Sequence, residues 1–138
     1  MVNSEIDSFA MTSRLSLLRS RLTRLGLVRG MLRVATAYMF LLHGLMKFTG
    51  GTPLSSLTGA AMALELVGGA LLVLGLFVRP VAFILSGEMA FAYWMAHAKA
   101  DNWWLPMQNH GESAALFCFI FLYLAAAGGG ALSFDKRR

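Results

Sequence analysis

The chain has 138 residues, 57% of them hydrophobic and only 14% charged, with a mean hydropathy of +0.63. A soluble domain carries roughly 25% charged residues, so this chain has too few polar side chains to cover a water-facing surface. Its net charge of +5 comes from basic residues crowded before the first apolar run and at the C-terminus, a membrane-topology pattern that argues against nucleic-acid binding.

The length suits one domain. Residues 1–12 carry no clear pattern. From Thr12 to Arg29, Leu15, Leu18, Leu22 and Leu25 recur at helical spacing with arginines over much of the remaining surface. This reads as a basic amphipathic helix in the membrane interface, leucines in the acyl boundary and arginines among anionic headgroups. No small-residue cleavage site follows, which sets a signal peptide aside. The division expected is a basic cytoplasmic segment over 1–26 and a membrane domain over 27–135.

Four apolar segments follow, at about 28–48, 57–78, 81–98 and 113–132. Each is long enough, at ~1.5 Å per residue, to approach the ~30 Å hydrocarbon core. Backbone groups in lipid must bond within their own segment, and the period-two pattern of a membrane barrel is missing, so the segments read as helices. The fold class expected is all-α: an integral membrane four-helix bundle preceded by the interfacial helix. Gly50-Gly51-Thr52-Pro53 breaks the chain after the first segment. Arg79-Pro80 reads as the hairpin between the second and third, because proline disfavours helix in the residue before it. Asp101 to Gly111 forms the one sizeable loop, with Trp103 and Trp104 as interfacial anchors. With the N-terminus inside, the inner side collects Arg14, Arg19, Arg21, Arg24, Arg29, Arg33, Arg79, Lys136, Arg137 and Arg138, and the outer side keeps only Lys47 and Lys99. That asymmetry puts both termini in the cytoplasm.

Charged groups at membrane depth are costly and face a bundle interior. His43 and Lys47 stand one turn apart near the outer end of the first helix. Glu65 enters the second helix from the same side and shares a face with Gly68, Leu72 and Gly75, where small residues let helices approach closely. Glu88 lies near the middle of the third helix and His97 near its outer end. His110 and Glu112 open the fourth. The expectation is one polar cluster in the outer half of the bundle. Glu65 and Lys47 read either as a structural ion pair or as part of a ligand site. Glu88, expensive to keep charged in lipid, reads as a proton-exchanging group or as a neutral acid bonded to a helix backbone or to Tyr93. His97 shares a face with Tyr93, at the mouth of the cluster or among headgroups. No HxxxH or ExxH pair appears, so no metal site is assigned. Arg33 reads as a side chain snorkelling to the inner interface. Cys118, the only cysteine, reads as a small apolar packing residue.

Several short stretches, taken together, carry a resemblance. They are His43-Gly44-Leu45-Met46-Lys47-Phe48, Leu64-Glu65-Leu66-Val67-Gly68-Gly69 with Leu74-Gly75-Leu76, and Gly87-Glu88-Met89-Ala90-Phe91-Ala92-Tyr93 with His97. Asn109-His110-Gly111-Glu112 and Gly128-Gly129-Gly130-Ala131-Leu132-Ser133-Phe134-Asp135 complete the set. The chain resembles the DoxX family of small bacterial membrane proteins from about Met31 to Asp135, with the N-terminal extension outside the shared region. The resemblance implies a four-helix protein of the bacterial plasma (inner) membrane, connected to quinone-linked oxidoreductases or redox-stress complexes.

Three functions compete. The first is a quinone-interacting oxidoreductase subunit. His43 and Glu88 supply protons, and Lys47 stabilises negative charge beside Glu65, with His97 and Glu112 as further ligand-binding candidates. No flavin, nucleotide or iron–sulfur motif is visible, so electrons come from a partner or a bound quinol. The second is a non-catalytic membrane anchor docking a soluble redox enzyme through the basic N-terminal segment and Asp135-Lys136-Arg137-Arg138, with the buried charges only fixing helix packing. The third is a small-solute or proton carrier, for which four helices give little room unless the protein forms a homo-oligomer.

Overall fold

A computed structural model describes residues 2–98 and 101–135; Lys99 and Lys136 to Arg138, which enter the topology argument and one docking reading, lie outside the described residues. Four α-helices form: α1 (Val2–Thr49), α2 (Leu57–Leu74), α3 (Val78–Ala92) and α4 (Glu112–Ala127), with a π-helical turn at Tyr93–His97 extending α3. Among the described residues there is no strand. The segments around Arg14–Thr49 and Leu57–Leu74 are long and apolar enough to cross a membrane, and α4 is a shorter apolar helix.

The first departure from the sequence reading is α1. The basic segment and the first membrane helix are one unbroken 48-residue helix, not an interfacial helix followed by a second one. The reason is local. Between Thr12 and Phe48 there is no proline, and the strongest helix-weakening residues are the isolated glycines Gly26, Gly30 and Gly44. A single glycine costs ~1 kcal/mol against alanine but breaks nothing on its own.

The helices pair as two hairpins, α1 with α2 and α3 with α4. Gly44 lets α1 and α2 meet closely, since a Cβ there would press on Glu65 and Leu66. Ser86 Oγ donates to the Cys118 carbonyl at 2.9 Å and ties α3 to α4. A buried core of Ala37, Phe40, Leu72, Val78, Ala82, Leu85, Phe117, Phe121 and Leu124 joins the two hairpins. Its aromatic centre is Phe40, with ring centroids 5.4 Å from Phe117 and 4.8 Å from Phe121. Outside this core the surface is itself apolar: Phe83, Ile84, Phe91, Leu116 and Phe119 all face outward. An exterior of this kind suits lipid and not water.

The helix ends explain the remaining shifts in boundary. Ser56 caps α2, its Oγ accepting from the Gly59 N–H at 3.0 Å. α2 stops at Leu74, earlier than expected, because Gly75 takes a left-handed conformation (φ 73) and its N–H turns back to Leu72 and Leu71. The hairpin is therefore Gly75 to Phe77. Arg79-Pro80 falls in the first turn of α3, where proline has no N–H to leave unpaired. α4 ends at Ala127, not near 132, and residues 128–135 fold back across the basic end of the bundle.

That returning tail locks three elements together. Ala131 N–H bonds to the Gly26 carbonyl at 2.7 Å, and Gly130 (φ 71) lies so close to α1 that a Cβ would strike Gly26 and Gly30. Asp135 accepts from Phe77 N–H at 2.8 Å and Val78 N–H at 2.7 Å, serving as the cap that α3 lacks locally. Arg29 donates to the Ala127 carbonyl and Arg33 to the Leu132 carbonyl, at 2.7 and 2.8 Å. Arg33 is 0% exposed, so it braces the tail from inside and does not snorkel.

Candidate functional site

The hairpins meet tightly at the core and leave an opening between α2 and α3 in the half of the bundle away from the tail. It is a groove of about 480 Å³ lined by apolar positions such as Leu57, Leu64, Ile84, Phe91 and Met95. Leu64, Ile84 and Phe91 are also exposed on the bundle exterior, so the groove opens sideways. In a membrane that direction is hydrocarbon.

Three charged residues line its inner wall: Lys47 from α1, Glu65 from α2 and Glu88 from α3. Lys47 Nζ donates to Glu65 Oε1 at 2.6 Å. The pair is lopsided, with the Lys47 side chain 31% exposed and that of Glu65 3%. Among the described residues, Glu65 Oε2 and both carboxyl oxygens of Glu88 are buried without a hydrogen-bond partner. Buried polar atoms are nearly always satisfied, so three orphaned carboxyl oxygens around one apolar groove call for a ligand or water. A group inserted there would find a cationic donor on one side and a carboxyl on the other. The surrounding walls would hold its apolar part out of water.

This region also falls where a family relationship is found. The family described as DoxX matches residues 29–98. The chain belongs to the DoxX family. A Haemophilus influenzae protein described as uncharacterized is 44% identical over 119 residues, covering 77% of this chain and 87% of its own length. No solved structure matches. The DoxX match takes in the part of α1 from Arg29 onward, all of α2 and α3 and the π turn, and with them the whole charged wall of the groove. It ends before Asn109 to Glu112 and the tail, which the expected resemblance had included.

The other expected site residues lie elsewhere in this DoxX chain. His43 does not reach the groove. Its Nδ1 lies 2.8 Å from the Met39 carbonyl and its ring packs edge-on against Phe117 of α4, at 5.8 Å between centroids. His97 belongs to the loop: Nδ1 is 3.1 Å from the Asn109 carbonyl, in a network where Tyr93 OH donates to the Trp103 carbonyl and Asn109 Nδ2 to Tyr93 and Asn102. Glu112 is exposed in the first turn of α4, where a negative charge suits the helix dipole. The single outer cluster thus divides into a groove triad, a loop network and isolated groups. The π turn was not legible beforehand. It brings Met95 and Ala96 to the groove while Tyr93 and His97 turn to the loop.

Proposed function

We propose that this DoxX protein is a quinone-interacting membrane subunit of an oxidoreductase or redox-stress complex, and that the α2–α3 groove is its quinone site. The observation that carries the reading is the Glu88 carboxyl, without a partner among the described residues, beside the Lys47–Glu65 pair on the wall of an apolar groove open to the side. A quinone is a lipid-soluble ring with two carbonyl acceptors. Lys47 would donate to one ring oxygen and stabilise charge as two electrons arrive from a partner. Glu88, when protonated, would donate to the ring and pass its proton on, giving the quinol once a second proton follows. Glu65 holds Lys47 in place. Leu64, Ile84 and Phe91 would face the ring and its isoprenoid tail. His43, packed on Phe117, has no part in this arrangement.

Placement in the bacterial inner membrane with both termini in the cytoplasm belongs to the same proposal. Its support is the concentration of arginine at the end of the bundle where the tail folds back. A photoreactive quinone analogue added to the protein in native-like membranes tests the site. Cross-linking should fall on peptides from α2 and α3 around Glu65 and Glu88 and be suppressed by excess ubiquinone or menaquinone. Labelling spread over the bundle exterior, insensitive to competitor, would sink the reading.

A further inference from the structure

Residues 2–25 of α1 run past the Ala131–Gly26 bond by about 36 Å, at ~1.5 Å per residue. On this arm Leu15, Leu18, Leu22 and Leu25 are 56–69% exposed, with Met11 one step earlier also exposed. Their 4-3-4-3 spacing is the a/d seam of a heptad repeat. Taking ~100° per residue, the seam lies within about 50° of the face that α1 buries in the bundle through Arg33, Ala37, Phe40 and Gly44. The stripe is therefore the continuation of an established packing face, extended beyond the elements that cover it. Arg14, Arg19 and Arg21 fall on the flanking e and g positions, and no acidic residue stands between Asp7 and Glu65.

We propose that this arm is a docking helix for an acidic amphipathic helix of a partner protein, which pairs with it as a two-stranded coiled coil. The leucines supply the seam, and acidic e and g flanks on the partner meet the arginines. A second copy fits badly. Two copies in one membrane would align their arms in parallel and set Arg14 of one against Arg19 of the other, a like-charge contact that e and g positions reject. The membrane surface fits badly too. α1 continues unbroken from the arm into the bundle, so the arm projects onward from the bundle and does not turn into the interfacial plane. An exposed leucine stripe in water needs a protein cover. The inference is independent of what the groove binds.

The test uses the full chain in nanodiscs of phosphatidylcholine and phosphatidylglycerol. The probe is a fluorescent synthetic peptide with leucine at a and d and glutamate at e and g. Saturable binding is expected. It should weaken more than about a hundredfold in a Leu18→Asp/Leu22→Asp variant, whose changes lie outside the bundle and should leave its melting unaltered. It should vanish for a peptide with lysine at e and g. Equal binding of a scrambled acidic peptide would mean charge attraction without pairing and would overturn the proposal. So would a spin label at Leu22→Cys, in a Cys118→Ala background, that sits in the acyl region before any peptide is added. Spontaneous arm-to-arm disulfides in that Leu22→Cys variant would overturn it as well, in favour of a second copy.

Discussion

Lys47 and Glu65 show how unequal burial decides what a pair is worth. Glu65 is nearly enclosed, so losing its partner leaves an uncompensated buried charge, whereas Lys47 keeps some access to the exterior. Breaking such a pair from the exposed side costs about 2–4 kcal/mol, while replacing both members with apolar residues is often neutral. Lys47→Ala should therefore lower the melting temperature in detergent markedly, and a Lys47→Met/Glu65→Leu double variant should recover most of the loss. Glu88 differs because its oxygens bond to nothing among the described residues. Glu88→Gln should leave stability within about 1 kcal/mol of wild type by the same thermal assay, since no hydrogen bond is broken. Glu65 was legible in the sequence through the small residues sharing its face. His43 was not. It stands one helical turn from Lys47, and only the structure shows that the long lysine stem reaches α2 while the short imidazole returns to Met39 and Phe117.

Among the elements, the ends were harder to read than the spans. The hydropathy runs located all four helices, and Gly50 to Pro53 marked the first break as expected. Gly75 ends α2 by a local cap, but the start of α3 was misplaced because its cap comes from Asp135, 58 residues along the chain from Phe77, and no local rule sees that far. Phe77 carries the consequence: it holds a left-handed backbone (φ 50), which an L side chain adopts at a cost of ~1–2 kcal/mol. Asp135→Ala removes the acceptor for two N–H groups and should destabilise the protein by about 1–3 kcal/mol. Phe77→Gly should raise stability by about 1 kcal/mol, because glycine enters the left-handed region freely. Thermal unfolding of both variants, followed by circular dichroism, checks the pair. Arg33→Met should also destabilise, since Arg33 holds the Leu132 carbonyl from a fully buried position. The arm was legible as a basic amphipathic helix but not as part of α1, because a period shows which face is apolar and not where the helix axis points.

The whole molecule is two helical hairpins joined by an aromatic core and parted on one side, and the groove is where they part. Composition and the arginine distribution made the membrane character legible from the start. The groove was not, because it depends on how far α2 and α3 separate and on the π turn that ends α3. The topology makes a prediction at this scale. Green fluorescent protein fused after residue 135 should fluoresce, and alkaline phosphatase inserted near Met107, in the loop, should be active. The opposite pattern would invert the orientation and with it the direction from which protons reach Glu88.

The central claim is that the groove holds a quinone through Lys47 and Glu88. Its most direct test is equilibrium binding of short-chain ubiquinone and menaquinone analogues to the purified protein in nanodiscs, comparing wild type with Lys47→Ala and Glu88→Gln. Saturable binding by wild type, weakened about ten- to a hundredfold in each folded variant, is the predicted result. Folded wild-type protein that binds no quinone, or variants that bind as tightly as wild type, would contradict the account and leave the buried charges as a packing device.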